Sequence, residues 1–379
     1  MVSFKKIIGC AVASTVTLIS TIPIFAAALH AYDVNGDGNV TVADYSLINS
    51  VLRGYKPLSY DRFDVNNNDV ISMVDGELVL DYAWNNTSNA SVSVQNFGDL
   101  LVGNENDINS STGVTYKKYN CATGAVSEYT LTLTEQTAST ASVNSGTPMA
   151  VDYNETAVVK LVEVDDSDSW GTGTIIGNHI IATAAHCVYD FDTSSFTDNT
   201  IKIVNSGNNV IATYTPSYIH VPKEYTITED NIYDYALIYV NEDLSQYGKF
   251  EVGIPLDSFI LNTNGNYSIK VSGFPTYSEI WTPIGAQNGY RYVSEGDVKY
   301  KNYELLRYEA ITNHGDSGGP AYIDETFTLG NEQYSCKTMV GIHIGSNHDE
   351  SGIWNTEYGW ANRIKSEHMK FFFSNPNLN

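Results

Sequence analysis

Gly315-Asp316-Ser317-Gly318-Gly319-Pro320 is the stretch on which the fold turns. Glycines on both sides of a serine let the backbone bend tightly and come close to a bound group. Two further strings lie upstream, Thr183-Ala184-Ala185-His186-Cys187 and Asp234-Tyr235-Ala236-Leu237. The order is His, Asp, Ser, with gaps of 48 and 83 residues. That is one of three unrelated chain orders in which a Ser-His-Asp site is built. A serine hydroxyl is inert near neutral pH unless a base takes its proton as it attacks. His186 is the candidate base, Asp234 the group that holds its tautomer and stabilises the imidazolium, and Ser317 the candidate nucleophile. The backbone N–H groups of Gly315 and Ser317 are the candidate oxyanion donors.

These strings resemble the trypsin/chymotrypsin superfamily of serine endopeptidases. The family pattern favours Asp234 over Asp230, because Ala236-Leu237 follow it. The resemblance implies a mainly β domain over residues 150–379, built from two six-stranded antiparallel β-barrels with a C-terminal helix. The sequence agrees. Short β-branched runs such as Ala157-Val158-Val159-Lys160-Leu161-Val162, Ile201-Lys202-Ile203-Val204 and Ala236-Leu237-Ile238-Tyr239-Val240 recur between Gly, Asn and Asp. A helix is expected from about Trp360 to Phe372.

The same resemblance implies a specificity pocket. The residue six before the serine lies at its base in the superfamily; here it is Ile311, where trypsin-like enzymes have Asp, so cleavage after Lys or Arg is disfavoured. Val340-Gly341-Ile342-His343-Ile344-Gly345 should form one wall. Its Gly-Ile-His string resembles the bacterial glutamyl endopeptidases, in which this His lies in the pocket for an acidic side chain and a hydroxyl residue, here Thr312, accompanies it. An imidazole and a hydroxyl can donate hydrogen bonds to a carboxylate without a permanent cation. The expectation is cleavage after Glu, and less well after Asp; the alternatives are a pocket for apolar residues and a protease-like domain that binds peptides without turnover. Asp316 resembles the acid that pairs with a new N-terminus in classical zymogens.

An internal repeat precedes this domain. Asp33-Val34-Asn35-Gly36-Asp37-Gly38-Asn39-Val40-Thr41-Val42-Ala43-Asp44 recurs 31 residues later as Asp64-Val65-Asn66-Asn67-Asn68-Asp69-Val70-Ile71-Ser72-Met73-Val74-Asp75. Oxygen-bearing side chains fall at positions 1, 3, 5, 9 and 12 of both copies, the ligand spacing of an EF-hand calcium loop. The candidate ligands are Asp33, Asn35, Asp37, Asn39, Thr41 and Asp44 in one copy and Asp64, Asn66, Asn68, Val70, Ser72 and Asp75 in the other, with Asn39 and Val70 at the backbone-carbonyl position 7. The sharp turn at position 6 has Gly38 in the first copy but Asp69 in the second, and position 12 is Asp rather than bidentate Glu. Each loop leads into one apolar-faced helix, with Leu47, Ile48, Val51 and Leu52 after the first and Leu78, Val79, Tyr82 and Ala83 after the second. Two loop–helix units without entering helices resemble a dockerin, over residues 32–84. That resemblance implies two Ca²⁺ ions and a cohesin module on a cell-surface or cellulosomal scaffold of an anaerobic bacterium as partner; the alternative is a calcium-stapled fold with no partner.

Lys5 and Lys6, the apolar run from Ile7 and the small residues Ala26-Ala27-Ala28 read as a secretory signal peptide over residues 1–31. No other segment is long and apolar enough to span a bilayer, so no membrane contact is expected after its removal. Residues 85–149 read as a linker and pro-segment. The net charge of −24 repels phosphate backbones and argues against nucleic acid. Without the leader three cysteines remain, Cys121, Cys187 and Cys336, an odd count that leaves at least one thiol unpaired. The superfamily often bridges the cysteine after the catalytic His to one about sixteen residues upstream; here Gly171 stands there, so that bridge is absent.

Overall fold

A computed structural model describes residues 31–36, 38–57, 59–86, 113–132, 155–164, 166, 168–205, 207–261, 267–276, 289–299, 302–348 and 356–375. Asp37, the leader up to residue 30 and most of the linker and pro-segment expected at 85–149 lie outside the described residues.

Alternating β-branched runs build two sheets. The first runs, in spatial order, Val210–Tyr214, Asn199–Val204, Val158–Glu163, Trp170–Gly177, Ile180–Thr183, Ala236–Tyr239, Tyr218–Pro222, Val114–Asn120 and Ala125–Leu131, every neighbour antiparallel. Ile201 and Ile203 are buried while Lys202 between them is only partly covered, the period of two that places one face of a strand in the core. In the second sheet Ser268–Gly273, Tyr292–Lys299, Leu305–Tyr308, Thr356–Arg363, Glu332–His348 and Pro320–Leu329 pair in turn, and the last pairs back to the first. This ring encloses Ile269, Val271, Val298, Leu306, Tyr308, Ala321, Val340 and Ala361. Glu251–Val252 adds to it as a parallel edge on Thr338–Met339.

Within the stretch expected as linker and pro-segment, Val114–Leu131 forms a hairpin on the free edge of Tyr218–Pro222. The C-terminal helix spans Ser366–Phe373, starting later than the expected Trp360, because residues up to Arg363 are held as a strand between two neighbours. Phe371 of this helix stacks on Tyr116 of the hairpin at 4.2 Å between ring centroids. The Tyr116 hydroxyl meets the Tyr235 hydroxyl at 3.1 Å, and Tyr235 packs on His368.

The repeat forms helices Val42–Val51 and Met73–Asn86. The first opens with a capping box: Thr41 Oγ1 accepts from Ala43 N and Asp44 Oδ2 accepts from Thr41 N. Leu47, Ile48, Val51, Val79 and Ala83 are buried, as the apolar faces predict, together with Val34, Phe63 and Val65. This unit sits on the β domain. Val70–Ile71 of the second loop pairs with Ile254–Pro255, Val70 joins the core of the second sheet, and Val74 packs on Phe327, Leu329 and Cys336.

Candidate active site

The strand Ile180–Thr183 ends in two small residues, Ala184 and Ala185, both fully buried. A 3-10 turn over Ala185–Cys187 then lifts His186 to the surface of a cleft. A second 3-10 turn, Asn231–Tyr233, delivers Asp234 just before the strand Ala236–Tyr239. Asp234 is 3 % exposed. Its Oδ2 lies 2.7 Å from His186 Nδ1, and its Oδ1 accepts from the His186 backbone N–H at 3.0 Å. Asp230 caps the turn instead, accepting from Ile232 N. Partial desolvation in the cleft disfavours the charged imidazole, but the Asp234 carboxylate outweighs it, aided by Cys187, and holds the His186 pKa well above its ordinary value.

His186, Gly315 and Ser317 line one cleft of about 330 Å³ between the two sheets, with Trp170, Cys187, Thr276 and His314. Ser317 Oγ and His186 Nε2 are not hydrogen-bonded to each other; in substrate-free sites such contacts often tighten only on binding. The loop carrying Ser317 is pinned from both sides. Its carbonyl accepts from Thr172 N at 2.8 Å, Gly318 N donates to His343 O at 2.7 Å, and Gly319 N donates to Asp316 O at 2.9 Å. The N–H groups of Gly315 and Ser317 have no acceptor among the described residues. Gly315 has φ +94, and a Cβ there would come 2.3 Å from Phe274 O, so only glycine fits. Two free, adjacent N–H donors beside a serine hydroxyl are what a tetrahedral oxyanion requires.

Of the residues read as a specificity pocket, Thr312 lies against Gly359, and neither it nor His343 is among the residues that line the cleft of His186 and Ser317. A Cβ at Gly359 would lie 2.5 Å from Tyr308 Cε2 and 3.2 Å from Thr312 Oγ1. His343 is 1 % exposed and sits where the strand pairing with Thr356–Arg363 slips by one residue, a bulge that re-aims side chains. Tyr308 OH meets its Nδ1 at 2.5 Å; this tyrosine had no signal in the sequence. Thr312 is 2 % exposed, and its hydroxyl has no hydrogen-bond partner among the described residues. Ile311, expected at the pocket base, is instead 50 % exposed. Asp316 is 5 % exposed; its Oδ2 accepts from Asn313 N, and burial pushes its carboxyl up to about 8. Cys121, Cys187 and Cys336 are free thiols. A Cβ on Gly171 would lie 2.7 Å from Cys187 Sγ, so the glycine stands in space where a bridging cysteine would.

The two repeat loops are a second candidate site. Asp33 Oδ1 and Oδ2 accept from Gly36 N and Gly38 N, and Asp44 accepts from Asn35 N and Thr41 N. In the second loop Asp64 accepts from Asn68 N and Asp69 N, and Asp75 from Val65 N, Asn66 N and Ser72 N. Asp69 adopts φ 63, matching Gly38 at φ 91, so the turn at position 6 forms in both copies. Its carboxylate accepts from the Ser258 and Tyr267 hydroxyls of the β domain, which accounts for an acid at that position. Burial lifts the carboxyls of Asp64 and, strongly, Asp75 above their ordinary range, and Glu325 and Asp64 push Asp75 further. Among the described residues no three His, Cys, Asp or Glu side chains converge on one point. The donors are instead carboxylate, amide, hydroxyl and carbonyl oxygens on a tight loop. That hard-oxygen set, with its buried negative charge, fits Ca²⁺.

The family model described as Trypsin matches residues 150–364, more than half of the chain. The chain is similar to a glutamyl endopeptidase of Bacillus licheniformis, 24% identical over 197 residues that cover 50% of this chain and 57% of that protein. It is similar also to an extracellular metalloprotease of Bacillus subtilis, 26% identical over 194 residues that cover 45% of this chain and 58% of that protein. The chain thus spans less than two thirds of the length of these curated relatives. Among solved structures, a Glu endopeptidase in complex with MPD is similar at 19% identity and a TM-score of 0.45, covering 59% of this chain and 92% of that one. Protease Anisep from Arthrobacter nicotinovorans is similar at 14% identity and a TM-score of 0.40, covering 56% and 92%.

Proposed function

The chain belongs to the trypsin family, and from that premise we propose that it is a secreted serine endopeptidase that cleaves after Glu, less well after Asp, and carries an N-terminal calcium-binding dockerin. The catalytic reading rests on one observation above others: Gly315 and Ser317, whose N–H groups have no acceptor among the described residues, line the same cleft as His186, which is held by Asp234. Ser317 Oγ attacks the peptide carbonyl as the neutral form of His186 takes its proton at Nε2, so activity is expected to rise with pH as the imidazolium deprotonates. Gly315 and Ser317 N–H groups hold the oxyanion, and the imidazolium, stabilised by Asp234, then protonates the leaving amine. Water repeats the cycle on the acyl-enzyme. Removing one oxyanion donor costs roughly 10²–10³ in rate.

Acidic specificity rests on two groups, the unpartnered, buried Thr312 hydroxyl and the His343 ring, whose Nδ1 meets the Tyr308 hydroxyl. A substrate carboxylate accepts hydrogen bonds from both kinds of donor. The test is turnover of matched peptides that differ only in the residue before the scissile bond, Glu, Asp, Phe, Ala or Lys. Cleavage after Glu is expected, abolished by Ser317→Ala and weakened selectively by His343→Ala. Preferred cleavage after Phe or Ala would overturn the pocket, and no cleavage at all would favour binding without turnover.

In the dockerin reading the two loops bind Ca²⁺ through Asp33, Asn35, Asp37, Asn39, Thr41 and Asp44, and through Asp64, Asn66, Asn68, Val70, Ser72 and Asp75, and the module engages a cohesin on a scaffold. Calcium would neutralise the buried carboxylates and fix the loops. The seating of the second loop on the β domain favours a second role for this module, as a calcium staple of the catalytic domain. Cohesin binding that appears in calcium and vanishes in chelator supports the first role; its absence in both leaves the staple.

A further inference from the structure

We propose that Glu325, a residue of the catalytic domain, completes the second calcium site, so that one ion is held jointly by the N-terminal module and the protease. The inference rests on the calcium reading of the loops. On the strand Pro320–Leu329, Glu325 occupies the inward face that continues with Phe327 and Leu329, the apolar residues on which Val74 packs. It is 5 % exposed, and no described Lys, Arg or His pairs with it. A carboxylate in such a place is costly unless a cation or a full set of donors meets it.

The donors that meet it belong to the loop. Glu325 Oε1 accepts from Asn68 Nδ2 at 2.8 Å and from Ser72 Oγ at 3.1 Å. These are loop positions 5 and 9, two of the side chains expected to point at the ion. Oε2 is anchored by the Thr338 hydroxyl on the neighbouring strand, with the Cys336 thiol beside it at 3.9 Å. The loop cannot drift away from this carboxylate, since Val70–Ile71 is paired with Ile254–Pro255 and Leu256 N donates to Asp69 O. The loop also lacks something that Glu325 has. Position 12 is Asp75, one methylene shorter than the bidentate Glu of ordinary EF-hands. When Asn68 and Ser72 turn their oxygens to an ion, the Glu325 carboxylate lies next to it and adds the missing anionic oxygens.

Calorimetric titration of calcium into the full chain tests this, with Glu325→Gln, and with Asp33→Asn to identify the first loop's site. Glutamine keeps an acceptor oxygen for Asn68 and Ser72 but removes the charge. Two ions are expected in the wild type; in Glu325→Gln one of them binds at least about tenfold more weakly, since ligand charge sets affinity in such loops, while the site lost in Asp33→Asn is untouched. Two ions with wild-type affinities in Glu325→Gln would overturn the inference and leave the calcium reading standing. No calcium binding by the wild type would overturn both. If Glu325→Gln does not fold, Glu325→Asp retains the charge but shortens the reach, and wild-type affinity in that variant would equally sink the proposal.

Discussion

Asp316, next to Ser317, has a carboxyl that folding shifts far from its ordinary range. Burial raises its carboxyl to about 8 from an ordinary value of 3.8, and one backbone N–H from Asn313 only partly offsets this. The native protein therefore holds a proton between those two values that the unfolded chain releases, so this contribution is full below about pH 4 and is lost as pH rises to about 8. The slope is one proton's worth, about 1.4 kcal/mol per pH unit. Asp316→Asn should flatten the fall in stability between those limits, as read from denaturant unfolding at a series of pH values. Identical profiles for the two proteins would mean that Asp316 titrates alike in the folded and unfolded chain. The triad types were legible at this scale because the flanking strings are short and local. The Tyr308–His343 contact was not, because it joins residues 35 apart across two strands. Nor was the place of Ile311, whose exposure depends on how the loop before Ser317 leaves the barrel.

Among the elements, the hairpin Val114–Leu131 and the C-terminal helix act together. The hairpin extends the first sheet, and its Tyr116 lies between Phe371, stacked at 4.2 Å, and Tyr129 at 5.6 Å. Through the Tyr116–Tyr235 hydroxyl contact this stack supports the residue that follows Asp234. Phe371→Ala should cost about 3–5 kcal/mol by the transfer and cavity terms, and should lower kcat by loosening the turn that holds Asp234. A denaturant midpoint unchanged from wild type would show that the helix adds nothing to the sheet. The sequence reads residues 85–149 as linker and pro-segment, and this hairpin lies within them. Its partner strand was not legible, because one exposed edge resembles another until the sheet is assembled.

At the scale of the molecule, the N-terminal repeat module is seated on the β domain rather than tethered beside it. Ligand that binds only the folded state stabilises it by RT ln(1 + [L]/Kd), about 4 kcal/mol at a thousandfold excess over Kd. With calcium in the loops as proposed, chelation should lower the melting temperature of the β domain itself by several degrees, since Val70 is part of its core. Scanning calorimetry with tryptophan fluorescence would show this; a β-domain transition indifferent to chelator would mean that the two parts unfold independently. The described helices include none long and apolar enough to cross a membrane. The sequence by itself determined the order of the His, Asp and Ser strings, the two repeated acidic loops, the apolar faces of the helices that follow them and the β character of residues from 150 onward. Apart from the order of the three strings, these are written in patterns no longer than a loop, a helix face or a strand. Only the tertiary structure decided that Asn68 meets Glu325 across 257 residues, that the stretch around Tyr116 belongs to the first sheet, and that the Thr312 hydroxyl is buried and unengaged. The reason is physical. Local periodicity and turn chemistry constrain neighbours along the chain, whereas the meeting of distant strands is settled by the packing of the whole.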